Sequence, residues 1–155
     1  MNFIFGGISV FMLCWIYFDF VGNGKPKDTR KWTLINWWLA HLCLMLSAVV
    51  IGVALAGEVK VGIWEPFPLK YAYLGCLGLS AYLMSLLWLQ FNIEHRVAHR
   101  FSAAGTRIAG VLLALITLAV VPDVPSIVGN ALWGTALFSQ VFIPLTRAYL
   151  ALSKE

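Results

Sequence analysis

Charge is what this sequence has least of. Asp, Glu, Lys and Arg together make up 12% of its 155 residues, while 61% are hydrophobic. A soluble domain carries roughly twice that charge. With a mean hydropathy of +0.83, the chain has too few polar groups to cover the surface of a water-soluble fold. Cysteine is also scarce. Cys14, Cys43 and Cys76 form no CxxC pair, which excludes a disulfide framework, and each behaves as a small apolar group within an apolar run. There is no HExxH pattern, no credible nucleophile–base pair and no cofactor fingerprint, so an intramembrane enzyme would lack visible machinery. The weak alternation of a transmembrane β-barrel is absent too.

In place of these the chain has long apolar runs. A helix that spans a bilayer needs about 20 mostly apolar residues, because the hydrocarbon core is about 30 Å thick. Five stretches meet or nearly meet that length, at residues 2–21, 34–56, 68–91, 105–121 and 127–152, the fourth being the shortest. The connections at 22–33, 57–67 and 92–104, and the Pro122-Asp123-Val124-Pro125 turn, are too short to fold independently. The expected fold is therefore an all-α membrane bundle of about five transmembrane helices, with residues 1–155 forming one domain. The first run lacks a charged leader, and Trp15, Tyr17, Phe18 and Asp19 make a poor cleavage site, so it is expected to stay as a helix rather than leave as a signal peptide.

The cations give the expected orientation. If the first helix starts outside, Lys25, Lys27, Arg30, Lys31, Arg96, Arg100, Arg107, Arg147 and Lys154 fall on one side, and Lys60 and Lys70 alone on the other. The positive-inside rule places the rich side in the cytoplasm, with the amino terminus outside and the carboxyl terminus inside. A net charge of +4 and a pI near 9.1 can signal nucleic-acid binding. Here the charges sit at helix ends, where they meet anionic headgroups, so the expected partners are membrane lipids and not nucleic acid. Trp32, Trp37 and Trp38 at one level and Trp64 at the other read as interfacial belts.

Small residues spaced by four mark faces along which helices approach closely in lipid. Ala48, Gly52 and Ala56 form one such stripe, and Ala72, Cys76 and Ser80 a second. Thr106, Gly110 and Ala114 form a third, and Ala131, Thr135 and Ser139 a fourth. They serve equally for packing within the chain and for a partner interface. Polar residues at membrane depth are costly and tend to face the bundle interior. Asp19, Asn36, His41, Gln90, Glu94, Gln140 and Arg147 lie at one level and are expected to form an inner-leaflet cluster, with Pro144 freeing the Gln140 carbonyl. Two readings are open for it. One is an ion or proton path, or a small-molecule site, using His41 with Asp19 or Glu94. The other is a structural network in which the same groups satisfy one another.

His95 and His99, at i and i+4, have a spacing that zinc sites use, with Glu94 as a third ligand. Arg96 and Arg100 interleave, and a basic, headgroup-facing segment is the plainer account, so no metal site is expected. His41 is the only histidine within a run, which excludes ligation of one haem by two histidines of this chain. A tetrapyrrole on His41 ranks below a core histidine. No cofactor is expected, and bound lipid is.

The segment Trp15-Ile16-Tyr17-Phe18-Asp19 resembles the aromatic W-x-Y-F-D ending of a helix in the bacterial low-temperature-requirement A family. There a basic linker follows, then a helix with an early histidine; Lys25 to Lys31 and His41 occupy those places here. The arginine-rich joint from Arg96 to Arg107 and the last two helices are also similar. The resemblance spans nearly the whole chain and matches the carboxyl-terminal half of longer members, with Cys43 standing where the family has a proline. It implies a fold and a bacterial cytoplasmic-membrane location more than a reaction, and points to Asp19 and His41 as positions to watch. It also implies a surface, covered by the other half in longer members, for a homo-oligomer or another membrane protein to cover. The leading functional expectation is thus a non-enzymatic accessory or structural subunit of a membrane assembly. The alternative is a small transporter or ion or proton channel using the inner cluster.

Overall fold

Lipid offers a backbone no hydrogen bonds, so each apolar run must satisfy its own N–H and C=O groups, and the helix does this within one segment. The computed structural model describes residues 2–21, 24–93 and 100–152, with the backbone alone at 19–20, 100–103, 147–148 and 151–152. Five α-helices follow in order: α1 Asn2–Phe20, α2 Lys31–Glu58, α3 Leu69–Asn92, α4 Arg100–Val120 and α5 Ser126–Leu152. A single 3-10 turn, Val121–Asp123, joins the last two. Among the described residues there are no strands, only the isolated bridges Pro26–Ile93 and Pro66–Pro125. Helices α2 to α5 each contain a stretch long and apolar enough to cross a membrane, whereas the apolar part of α1, Asn2–Phe18, is shorter. At 1.5 Å per residue α1 still rises about 28 Å.

The helix ends differ from the hydropathy boundaries. Helix α2 extends beyond 34–56 at both ends, and α4 starts at Arg100 rather than 105. Hydropathy marks the stretch that suits lipid, whereas helical hydrogen bonding runs on into the headgroup layer. The shortest helix is accordingly α1, with 19 residues against 21 in α4. Helix α5 runs through Pro144 without a break. In the connection before α2, the Thr33 side chain and the Arg30 backbone N–H hold the Asp28 carboxyl below its ordinary range.

The helices alternate in direction. At one end, hereafter the basic end, the Lys27 N–H bonds the Asn92 carbonyl at 2.9 Å. At the opposite end the Ser126 N–H bonds Glu65 O at 2.9 Å and the Ile127 N–H bonds Ile63 O at 3.2 Å. Each helix packs on its neighbours in sequence, and α1 closes the ring against α5. Helix α3 is the most enclosed of the four helices long and apolar enough to span, and Leu79, Leu83, Leu86 and Leu89 along it are fully buried. Outward faces carry large apolar groups such as Phe3, Leu46 and Phe142. Trp32 and Trp38 project near the basic end and Trp64 at the other.

Hydroxyls within the helices are satisfied locally. Ser47, Ser80, Ser85 and Thr117 each donate to the carbonyl four residues earlier, at 2.7–2.8 Å, the usual solution for such residues inside a helix. The Tyr82 hydroxyl instead crosses from α3 to Leu13 O of α1 at 2.8 Å.

Close approach to α3 depends on two glycines. A Cβ on Gly75 would run into the Trp133 ring of α5 and lie 3.4 Å from the Ala54 methyl of α2. One on Gly78 would lie 3.1 Å from Ile51 Cγ1. Overpacking of a tight contact costs about 1–3 kcal/mol. Gly75→Ala is therefore expected to lower the thermal midpoint in detergent by several degrees, whereas Gly134→Ala, whose Cβ would meet nothing within 4 Å, should leave it unchanged or raise it. Equal midpoints for the two variants would refute the close-packing role of Gly75.

Candidate functional site: two polar clusters

The basic half of the bundle brings three helices together through polar side chains. Arg107, one residue after Thr106 on α4, is 3% exposed. Its guanidinium donates to Leu86 O of α3 at 3.0 Å and to Gln90 Oε1 of the same helix. Gln90 is equally enclosed. From α5, Gln140 Nε2 donates to Thr106 O at 2.8 Å, and it also lies 3.2 Å from Ser139 Oγ. Gln140 reaches Thr106 through the notch that Gly110 leaves, where a Cβ would come within 2.6 Å of Nε2 and 2.8 Å of Leu83 Cδ1. Gln90 and Gln140 thus converge on adjacent residues of α4.

Two further members of the expected inner cluster, His41 and Asn36, are described on α2. His41 is half-buried on α2. Its Nδ1 lies 2.9 Å from Trp37 O, and its ring is 4.2 Å from the Trp37 ring. A carbonyl accepts only, so Nδ1 is the donor in this contact. Asn36 is half-buried on the same helix. The side chains of Asp19 and Arg147, and the whole of Glu94, His95 and His99, lie outside the described residues. Among the described residues no group of three or more His, Cys, Asp or Glu could hold a metal.

The small-residue stripes divide in two. Gly110 and Ala114 lie inside the bundle, as do Ala72, Cys76 and Ser80. Ala48 is half-buried, while Gly52 and Ala56 face out of it, and so do Ala131 and Thr135. A Cβ on Gly52 would meet nothing within 4 Å.

A second cluster occupies the opposite end, where the hydropathy pattern placed a connecting loop. Glu58, the last residue of α2, is 1% exposed, and Asn2, the first of α1, is 3% exposed. Asn2 Nδ2 donates to Glu58 O at 3.3 Å and to Val61 O at 2.8 Å, capping the carbonyl end of α2 from another helix. The Asn130 side chain of α5 faces the Glu58 carboxyl as its donor. The approach is loose, and neither Glu58 Oε1 nor Asn130 Nδ2 has a closer hydrogen-bond partner. Asn2 Oδ1 and Trp133 Nε1 are also buried without one. A void of about 10 Å³, bounded by Asn130, Trp133, Ser126, Cys76 and Thr117, has room for about one water molecule.

Both clusters had a signal in the sequence. Arg107 shares a helix face with Gly110 and Ala114, at offsets of about one and two turns, and so belongs with the small residues rather than with the headgroup cations. Glu58 continues the face of Ile51, Ala54 and Leu55, all buried. No protein-family model matches the chain, and neither the curated proteins nor the solved structures include a match to it.

The basic-end cluster acts chemically as a tie between helices. Interhelical side-chain hydrogen bonds in membranes average about 0.6 kcal/mol and reach about 1.7 kcal/mol in double-mutant cycles. A cycle of Arg107→Met and Gln90→Leu, read by thermal or denaturant unfolding in detergent, is expected to give a coupling within that range. Strict additivity would show that the two side chains do not support each other.

Proposed function

We propose that this protein is a non-enzymatic, multi-pass membrane protein that serves as an accessory or structural subunit of a larger membrane assembly. The observation that carries this reading is the outward stripe on α2. Gly52 and Ala56 face away from the chain's own helices, with open space over Gly52, so a foreign helix could approach the α2 backbone closely. The polar groups described at the basic end support it from the other direction. Gln90, Arg107 and Gln140 bond to neighbouring helices, as a structural network does.

The reading extends to topology and family. All five helices span, α1 included, with the amino terminus outside and the basic end in the bacterial cytoplasm, following the positive-inside rule. The chain corresponds to the carboxyl-terminal half of the low-temperature-requirement A family, and a second copy or another membrane protein covers the surface that the other half covers in longer members. Bound lipid occupies the remaining apolar faces.

A small transporter or ion or proton channel is the second reading. His41 favours it, because its ring is only half-buried and is held in place by its Nδ1 contact to Trp37 O.

Native mass spectrometry after purification from the native membrane in gentle detergent tests the first reading. Reproducible co-purification with a partner is expected. Gly52→Leu should weaken that association at least tenfold and leave the thermal midpoint unchanged. Gly110→Leu should destabilise the chain itself, because the added side chain would displace Gln140. A lone monomer, unaffected in any assembly by Gly52→Leu, would refute the subunit role. Loss of solute flux in liposomes on substitution of His41 or Asp19 by alanine, with the fold intact, would establish the second reading in its place.

A further inference from the structure

Positive charge is concentrated in one short connection. Between the end of α1 and the start of α2, Lys25, Lys27, Arg30 and Lys31 are all exposed, and Asp28 is the one acid among them. Residues 24–31 thus carry a net charge of +3, four cations less one carboxylate, out of +4 for the whole chain. The Asp28 carboxyl is already engaged, since it accepts the Arg30 backbone N–H at 3.0 Å and pairs with the Arg30 side chain at 3.9 Å. Lys25, Lys27 and Lys31 make no ion pair among the described residues. Helix α2 begins here with no acidic residue in its first turn, so the positive end of its dipole adds to the same field. The opposite end of the bundle differs. There Lys60 and Lys70 stand among three acids, Glu58, Glu65 and Asp123, and Lys70 Nζ lies over the Tyr71 ring at 4.8 Å.

These cations are not carried on a free tether. The Lys27 N–H bonds Asn92 O at 2.9 Å, Pro26 forms a bridge with Ile93, and the Gly24 N–H bonds Val21 O at 2.8 Å. Gly24 packs so closely on Ile93 that a Cβ there would lie 2.9 Å from its side chain. The backbone is thereby held against the end of α3, and a ligand that meets it has less chain to order. Trp32 and Trp38, exposed on the first turns of α2, are of the residue type that settles at headgroup level. We propose that residues 24–31 form a docking surface for the headgroup phosphate of an anionic phospholipid, with Lys25, Lys27 and Lys31 as its contacts. Charge complementarity selects this occupant. Clusters of about four to eight cations immediately beyond a membrane helix attract anionic lipid, at about fivefold in affinity per lysine. Lysine binds phosphate as a point charge, so an exposed set of three suits a headgroup that is free to turn. The proposal rests on the helices crossing a membrane and is independent of the subunit reading, so its test needs no partner protein.

The test is thermal unfolding of the full chain in neutral-detergent micelles doped with phosphatidylglycerol or, separately, phosphatidylcholine, with bound lipid counted by native mass spectrometry. A ligand that binds the folded state alone raises the midpoint by mass action. For a chain of this size a rise of about 3 to 6 °C is expected at roughly ten times the dissociation constant of phosphatidylglycerol. Phosphatidylcholine should give none, and added salt should weaken the response by screening. The triple variant Lys25→Gln, Lys27→Gln, Lys31→Gln should keep the lipid-free midpoint, because all three side chains are exposed. It should lose affinity for phosphatidylglycerol on the order of a hundredfold. Lys60→Gln with Lys70→Gln, which removes the cations of the other end, should leave the lipid response unchanged. Equal responses of the wild-type chain to the two lipids would overturn the proposal, as would a preference for phosphatidylglycerol that survives in the triple variant. An equal rise with inorganic phosphate in place of lipid would overturn it too, by assigning the surface to a free anion.

Discussion

The bundle depends on how closely its third helix can be approached. In lipid there is no hydrophobic force between helices, since the acyl chains are as apolar as leucine, and association rests on packing and hydrogen bonds. Helix α3 meets that requirement with glycine where its neighbours come nearest. Gly75 admits both the Trp133 ring and the Ala54 methyl, and Gly78 admits Ile51. The buried leucines of α3 then fill the space between these contacts. The same device recurs between α4 and α5, where the absence of a side chain at Gly110 lets Gln140 reach a backbone carbonyl.

Polar groups inside the bundle follow one rule with two outcomes. A buried donor or acceptor must be paired, because leaving it unmade costs about 1–3 kcal/mol. Near the basic end the rule is met by side chains reaching across helices, and Arg107 and Gln140 each cap carbonyls that already serve a helix. At the opposite end it is met only in part. Asn2 caps α2 with its amide nitrogen and leaves its own amide oxygen without a hydrogen-bond partner.

The faces of the helices were only partly legible. Spacing by four identified Gly110 and Ala114, which lie inside, together with Gly52 and Ala56, which lie outside. The pattern is the same in both cases, because a small residue facing lipid carries no penalty that would distinguish it. Arg107 was assigned to the headgroup layer by its charge, although its offsets to Gly110 and Ala114 put it on the inner face. Glu58 was assigned to a loop because hydropathy falls there, although α2 runs on to include it. In each instance a composition rule overrode a periodicity that the helix obeys.

The sequence alone determined that the chain is helical and built for a membrane. Both follow from the length and continuity of the apolar runs, which are local properties, and from the need of any backbone in lipid to close its own hydrogen bonds. The tertiary structure decided which polar residues meet. Gln90 and Arg107 are seventeen residues apart and Asn2 and Glu58 fifty-six, and only the packing angle and register of whole helices bring such pairs together. Those are set by the small residues at the contacts, through steric fit among several helices at once, and no single run of sequence contains that information.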